Sequence, residues 1–288
     1  MLSPTQLKQA GRRRSLPSLR QQYLEYRMQR IESYKESIPR GELLAFGGEA
    51  AIELEAEAAS QLILTEVLLC ETVDRLIAKR LRLPSYKRWR KQYGELRQAQ
   101  REPGHWGIEA GSALVTLLPR LEVDDQVLVI GAGAHAEACL LAAFDAEVTF
   151  ADGDLRVVKN LESRLDGESL SGRFNAYVAS LGEWLPPFER ELDLVVLDAG
   201  TLSSLSHALR QSLLIELRNI TREGGVYVLL PGDRGAAPEG YLSHYPDWDR
   251  EPLGPSRKGK ASRSRGVIVR RPPCPQGEYS NSGELKLR

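Results

Sequence analysis

Gly131, Ala132 and Gly133, followed about twenty positions later by Asp152 and Gly153, are the residues whose types and spacing best suit chemistry. Glycine has no Cβ, so a glycine turn at a helix start lets backbone N–H groups approach a ligand closely. A carboxylate at the end of the next strand accepts hydrogen bonds from ribose hydroxyls. The pair points to a nucleoside-containing cofactor. Asp198 closes a third apolar run, Leu194 to Leu197, and is a further candidate at the same level of the fold.

These residues need a scaffold, and the flanking periodicity supplies one. Val127-Leu128-Val129-Ile130 is a short buried strand running into the turn, and an apolar helix over 135–144 follows. The pattern then alternates: strand 147–151, helix 154–165 with Asp154 as its cap, strand 174–179, strand 193–197, helix 203–218, strand 225–230 and a closing strand 266–270. Such alternation predicts an α/β fold, a doubly wound and mostly parallel sheet with helices on both faces. Ahead of it lies an all-helical region. One helix follows Pro17, Pro39-Arg40-Gly41 breaks it, and a long run of helix formers extends from 49 to 81. Ser85 opens a basic helix carrying Trp89 and Tyr93, and Pro103-Gly104 ends that region before a short apolar helix at 108–118. The expected division is a helical region 1–104, an α/β domain 105–275 and a flexible tail 276–288.

Net charge is zero, from 39 basic and 39 acidic residues, yet the charge is unevenly placed. Segment 79–101 is basic with Glu95 as its sole acid, and 256–271 contains no acid. Cationic segments attract phosphate, and Tyr86, Trp89 and Tyr93 could stack on bases, so a nucleic-acid partner fits. A solvated face pairing with the acidic helix before it fits equally well. No apolar run is long enough to cross a bilayer, so no membrane partner is expected. The start lacks the order of a secretory signal. The cysteines, Cys70, Cys139 and Cys274, are too far apart to form a metal-ligand spacing. A cytoplasmic location and no metal are the expectations.

The turn fits two kinds of cofactor. Gly131, Gly133 and Ala136 match the dinucleotide pattern G-x-G-x-x-A. Only about sixty residues follow Leu230, too few for a second nucleotide-binding half. The whole ordered set, over about 105–271, resembles the class I S-adenosylmethionine-dependent methyltransferases. Val127 to Gly133 resembles the first motif of that family, Ala151-Asp152-Gly153-Asp154 the end of its second strand, and Ala179 to Pro186 the loop after its third. Leu192 to Ala199 resembles its fourth strand, and Ile220 to Val228 the turn into its fifth. The resemblance implies S-adenosylmethionine as cofactor, held by Gly131, Ala132 and Gly133, with its ribose at Asp152 and Gly153. It places Ser180 and Leu181 beside the adenine, and Asp198 against the cofactor, facing the transferred methyl as candidate catalytic residue.

Three positions depart from the family pattern. Val129 stands where an acid is usual, His135 where a third glycine is usual, and Ser180 where an acid is frequent. The lost acid removes a polar partner for the methionine end of the cofactor. Several residues also have plain structural explanations. Asp198 suits a turn, Asp152 a helix cap, His135 a helix start, His207 the surface, and His105 and Trp106 packing as well as pocket lining. No Asn-Pro-Pro-Tyr or Asp-Pro-Pro-Tyr follows the fourth strand, so the acceptor is not legible. Four functions therefore stay open: a methyltransferase acting on nucleic acid, a small-molecule methyltransferase with a helical lid or dimerisation region, a non-catalytic scaffold of the same fold, and an NAD(P)-binding protein. The N-terminal helices are a candidate homo-oligomer surface.

Overall fold

A computed structural model describes residues 18–57, 66–232, 238–251 and 266–273. The basic loop 256–265 and the tail 276–288 lie outside the described residues. The chain divides into two compact units, Met1–Arg97 and Gln98–Arg288.

In the first unit, α1 (Leu19–Ser37) starts at Ser18, whose hydroxyl accepts from the Gln21 amide. It ends before Pro39, but α2 (Arg40–Glu57) begins at once rather than near 49. Burial of Phe46 and Ala50 against Ile31, Leu76 and Ile77 outweighs the poor helix propensity of Gly41, Gly47 and Gly48. The long helix expected over 49–81 contains the end of α2 and all of α3 (Glu66–Arg80), with 58–65 outside the described residues. Lys35 bonds Asp74 at 2.7 Å and Arg75 bonds Glu53 at 3.0 Å, joining α1 and α2 to α3. In α4 (Tyr86–Gln100), Trp89 is buried and stacks on Tyr93, with ring centroids 4.8 Å apart. Tyr23 meets Trp89 at 5.4 Å and donates its hydroxyl to the Pro84 carbonyl. These aromatics are packed on one another, which takes Trp89 out of the role of an exposed base-stacking platform.

In the second unit, Ser112 caps α5 (Ala113–Leu117), shorter than the 108–118 expected because the preceding Gly111 lies in a turn. Then come β1 (Gln126–Ile130), α6 (His135–Ala143), β2 (Glu147–Asp152), α7 (Leu155–Gly167), β3 (Phe174–Val178) and β4 (Leu192–Asp198). The helix expected over 203–218 is two helices, α8 (Ala199–Ser204) and α9 (His207–Ile220). The Ser206 hydroxyl accepts from the Leu209 amide and starts a new helix instead of continuing the old one. β5 (Thr221–Leu230) begins earlier than expected, across a register shift opposite Leu192 and Leu194. The unforeseen β6 (Asp249–Glu251) is three residues, two acids and an arginine, without apolar alternation. β7 (Val267–Arg270) is the last element among the described residues.

The sheet order is β3-β2-β1-β4-β5-β7-β6. β1 to β5 pair in parallel and β7 runs antiparallel to β5 and β6. This is the doubly wound, mostly parallel sheet expected from the alternation, with an antiparallel closing strand. Val127, Val129, Phe150, Val196 and Val228 face a core with α5, α6 and α7. Leu128, Ile130, Val195, Leu197 and Tyr227 face a second core with α8 and α9. Burial on both faces is why these strands read as unbroken apolar runs. Leu141, fully buried, should cost about 2–5 kcal/mol when replaced by Ala. Ile215→Ala, at a side chain 60% exposed, should change stability by less than about 0.5 kcal/mol. Urea denaturation of the two variants checks the assignment of core and surface.

Candidate cofactor site

The chain reverses direction across the sheet between β1 and β4, because β2 and β3 build outward on one side and β5 on the other. Such a switch point, at the carboxyl ends of the strands, is where open α/β sheets take ligands. Gly131, Asp152, Ala179 and Asp198 all end or follow strands at this edge. The Gly131 amide donates to the Ala151 carbonyl and the Ala179 amide to the Asp152 carbonyl, so the three ends are stitched side by side.

Gly131 has φ +99°, and a Cβ there would collide with Thr201 Oγ1 and lie 2.9 Å from Asp198 Cβ. A Cβ on Gly133 would lie 2.7 Å from the Asp198 carboxyl carbon. The glycines are thus required first by the chain itself, which packs β4's end against the turn. Asp198 is buried and caps α8: Oδ1 accepts from the Gly200 amide at 3.0 Å, Oδ2 from the Thr201 amide at 2.9 Å and the Thr201 hydroxyl at 2.7 Å. Both its oxygens are used in holding the edge. Asp-Ala-Gly-Thr after a strand is the signal for this cap. Its partner Thr201 was not singled out from sequence.

Asp152 is buried at the end of β2, and Oδ1 accepts from the Asp154 amide at 2.7 Å. Burial pushes its carboxyl above the ordinary range, against hydrogen bonds from the Asp154 and Ala132 amides and with help from the Asp154 and Asp198 charges. Asp154 itself caps α7 through the Arg156 amide. Ala132, Gly133, Gly153 and Ser180 are exposed along the rim, whereas Leu181 is buried. The Ser180 carbonyl accepts from the Glu183 and Trp184 amides, which shapes the loop after β3.

Of the remaining expectations, His135 Nδ1 lies 2.7 Å from the Ala132 carbonyl, which ties the imidazole back to the turn. Trp106 is buried and donates to the Gln100 carbonyl at 2.6 Å, with Arg164 over its ring: it packs. His105 lies beside Glu168 and His207 is exposed at the start of α9. Glu137, in the first turn of α6, was not singled out. Burial pushes its carboxyl up, with Asp198 adding to the shift, while its own amide and His135 oppose it. Among the described residues no group of three or more His, Cys, Asp or Glu could hold a metal ion. Two surface cavities, about 600 Å³ along α9 and about 440 Å³ beside β3, share no residue with this edge.

No family model and no curated relative match the chain. Among solved structures it is similar to the glycopeptide N-methyltransferase MtfA, at 16% identity over 59% of this chain and 98% of that one, with TM-score 0.44. A TehB-like SAM-dependent methyltransferase from Corynebacterium glutamicum aligns at 14% identity, over 64% of this chain and 95% of the other, with TM-score 0.43. A putative rRNA-methylase from Clostridium thermocellum aligns at 13% identity, over 55% and 92%, with TM-score 0.41. These are likenesses of outline, and the assignment of the site rests on its own geometry.

Two outcomes follow from that geometry. Gly133→Ala should destabilise the protein by about 1–3 kcal/mol, because the pinned Asp198 cannot yield, whereas Gly172→Ala meets nothing within 4 Å and should not cost this. Asp152 and Glu137 both keep their protons to higher pH in the folded protein than in the unfolded chain. Their contribution to ligand-free stability is therefore full below the ordinary carboxylate range and declines as pH rises through the raised values. The urea midpoint should fall with pH over that window, and less steeply in Glu137→Gln.

Proposed function

We propose that this chain is an S-adenosylmethionine-dependent methyltransferase. The observation that carries this is the buried carboxylate of Asp152 at the carboxyl end of β2, beside the glycine turn at the switch point. An acceptor there suits the paired hydroxyls of a ribose, and the exposed backbone of Ala132, Gly133 and Gly153 leaves the rim open to a nucleoside. Ser180 and Leu181 would flank the base. When bound, the cofactor supplies an electrophilic methyl on a sulfonium. The protein's part is then to orient an acceptor in line with it. Asp198, fixed by three donors, serves in this scheme by holding β4's end against the turn.

Nucleic acid is the acceptor class we propose. Lys87, Arg88, Arg90 and Lys91 are exposed on α4, whereas Trp89 between them is buried. With Trp89 packed away, charge is what remains for recognition, so binding should be strongly salt-dependent. The exposed apolar side chains Leu24, Met28 and Ile52 of the helical unit support a homo-oligomer contact there. The buried free thiol of Cys139, raised to about 11 by burial, accords with a reducing compartment, and we place the protein in the cytoplasm. Among the described residues no helix is long and apolar enough to cross a membrane.

A second reading, a scaffold that keeps the fold without the chemistry, is favoured by one observation: both Asp198 oxygens are consumed as a cap. Calorimetry with S-adenosylhomocysteine separates the two. The methyltransferase binds it, and Asp152→Ala weakens binding about tenfold or more, the worth of hydrogen bonds to a charged group. A folded protein that binds neither this nucleoside nor S-adenosylmethionine is the scaffold, and one that binds NADH instead is a dinucleotide-binding protein. For the acceptor, Arg88→Glu with Arg90→Glu should abolish salt-sensitive RNA or DNA retention. Retention unchanged by that double reversal points to a small-molecule acceptor.

A further inference from the structure

We propose that Glu137 is the residue that positions the ammonium end of the cofactor. This rests on the assignment of the glycine turn as an S-adenosylmethionine site, and it supplies a contact that β1 does not offer. Val129, on β1, is fully buried and apolar, and it lies in one core with Val196 of β4, Ala134 of the turn and Ala138 of α6. Asp198 follows Val196 by two positions along β4 and so lies on the same sheet face as Val196. Glu137 is adjacent in sequence to Ala138, in the first turn of α6, the helix that covers this face. The Asp198 carboxyl, which lies against Gly133, is one of the two charges that act on Glu137, and this puts the Glu137 carboxyl near the turn.

The state of the side chain argues for a ligand. Its Oε2 is completely buried and has no hydrogen-bond partner. Buried carboxylate oxygens are normally paired, so a lone one marks a place where a donor arrives with something else. The groups that act on Glu137 are its own amide, His135 from the same helix and Asp198 from β4; the buried Cys139 thiol lies two positions further along α6. Asp198 is already saturated by the α8 amides and the Thr201 hydroxyl, and the His135 ring is tied to the Ala132 carbonyl. Neither relieves Oε2. A small cationic donor does so, and in S-adenosylmethionine and S-adenosylhomocysteine the α-ammonium is such a group, at the end of the molecule away from the ribose that Asp152 takes.

Two nucleosides separate this role from a merely structural one. S-Adenosylhomocysteine carries the amino-acid end, and 5′-methylthioadenosine has the same adenine, ribose and sulfur without it. In the full-length chain, Glu137→Gln should lose about tenfold or more in affinity for S-adenosylhomocysteine, while its affinity for methylthioadenosine stays within about twofold of the unchanged protein. Glu137→Asp, which keeps the charge, should recover part of the loss. Equal losses for both nucleosides would make Glu137 a packing residue and overturn the proposal, as would no loss for either. Failure of the unsubstituted protein to bind S-adenosylhomocysteine overturns the cofactor assignment itself, and this inference with it. Near-ultraviolet circular dichroism and the urea midpoint of each variant confirm that it is folded.

Discussion

A single buried carboxylate fixes the edge on which every proposed function of this protein depends. Asp198 ends β4, caps α8 with both oxygens and presses its side chain onto Gly133. Thr201, bonded to it, closes over Gly131 in the same way. Four positions from two segments far apart in sequence are thereby locked at the switch point of the sheet. Side chains larger than hydrogen at 131 or 133 are incompatible with that lock. The glycines that first suggest a ligand are also demanded by the fold, and the two requirements coexist because Ala132 and Gly133 stay exposed at the rim.

The lock is tolerable because the sheet around it is rigid. The parallel strands β2, β1, β4 and β5 are covered by apolar cores on both faces, and β5 continues into an antiparallel pair whose edge strand is short and charged. Arg270 and Arg120 pin Glu251 of that edge strand at 2.7 Å; although burial works the other way, these partners hold its carboxyl below the ordinary range. A charged, paired edge resists further strand addition. The opposite edge, β3, is barer: Tyr177 and Val178 are exposed there, with Trp184 beside Tyr177 in the following loop. The Asp152 and Glu137 carboxyls are instead raised by burial, a state that weakens the ligand-free protein as pH rises and suits a site built to receive donors.

The strands and helices of the α/β unit were legible because their cores impose clean patterns. Val127 to Ile130 and Leu194 to Leu197 are unbroken apolar runs, as strands buried on two faces must be. Local competition accounts for the misses. Ser206 offers its hydroxyl to Leu209 and splits one expected helix into two. Phe46 and Ala50 draw Gly41, Gly47 and Gly48 into a helix that propensity alone would start later. β6 lacks any apolar signal, and its pairing with β7 is what makes it a strand.

The chain by itself determined the element order, the glycine turn and an acid at the end of the second strand, because periodicity and residue type are local properties. Only the tertiary structure decided what those residues face. It made Trp89 the centre of an aromatic cluster and Trp106 a core residue, since a side chain's exposure depends on elements distant in sequence. It turned Asp198 into a cap and brought Thr201 onto Gly131. It also left one oxygen of Glu137 buried and unpaired behind the turn. Burial and partnership arise only when segments meet in space, and these, more than spacing, give a carboxylate its task.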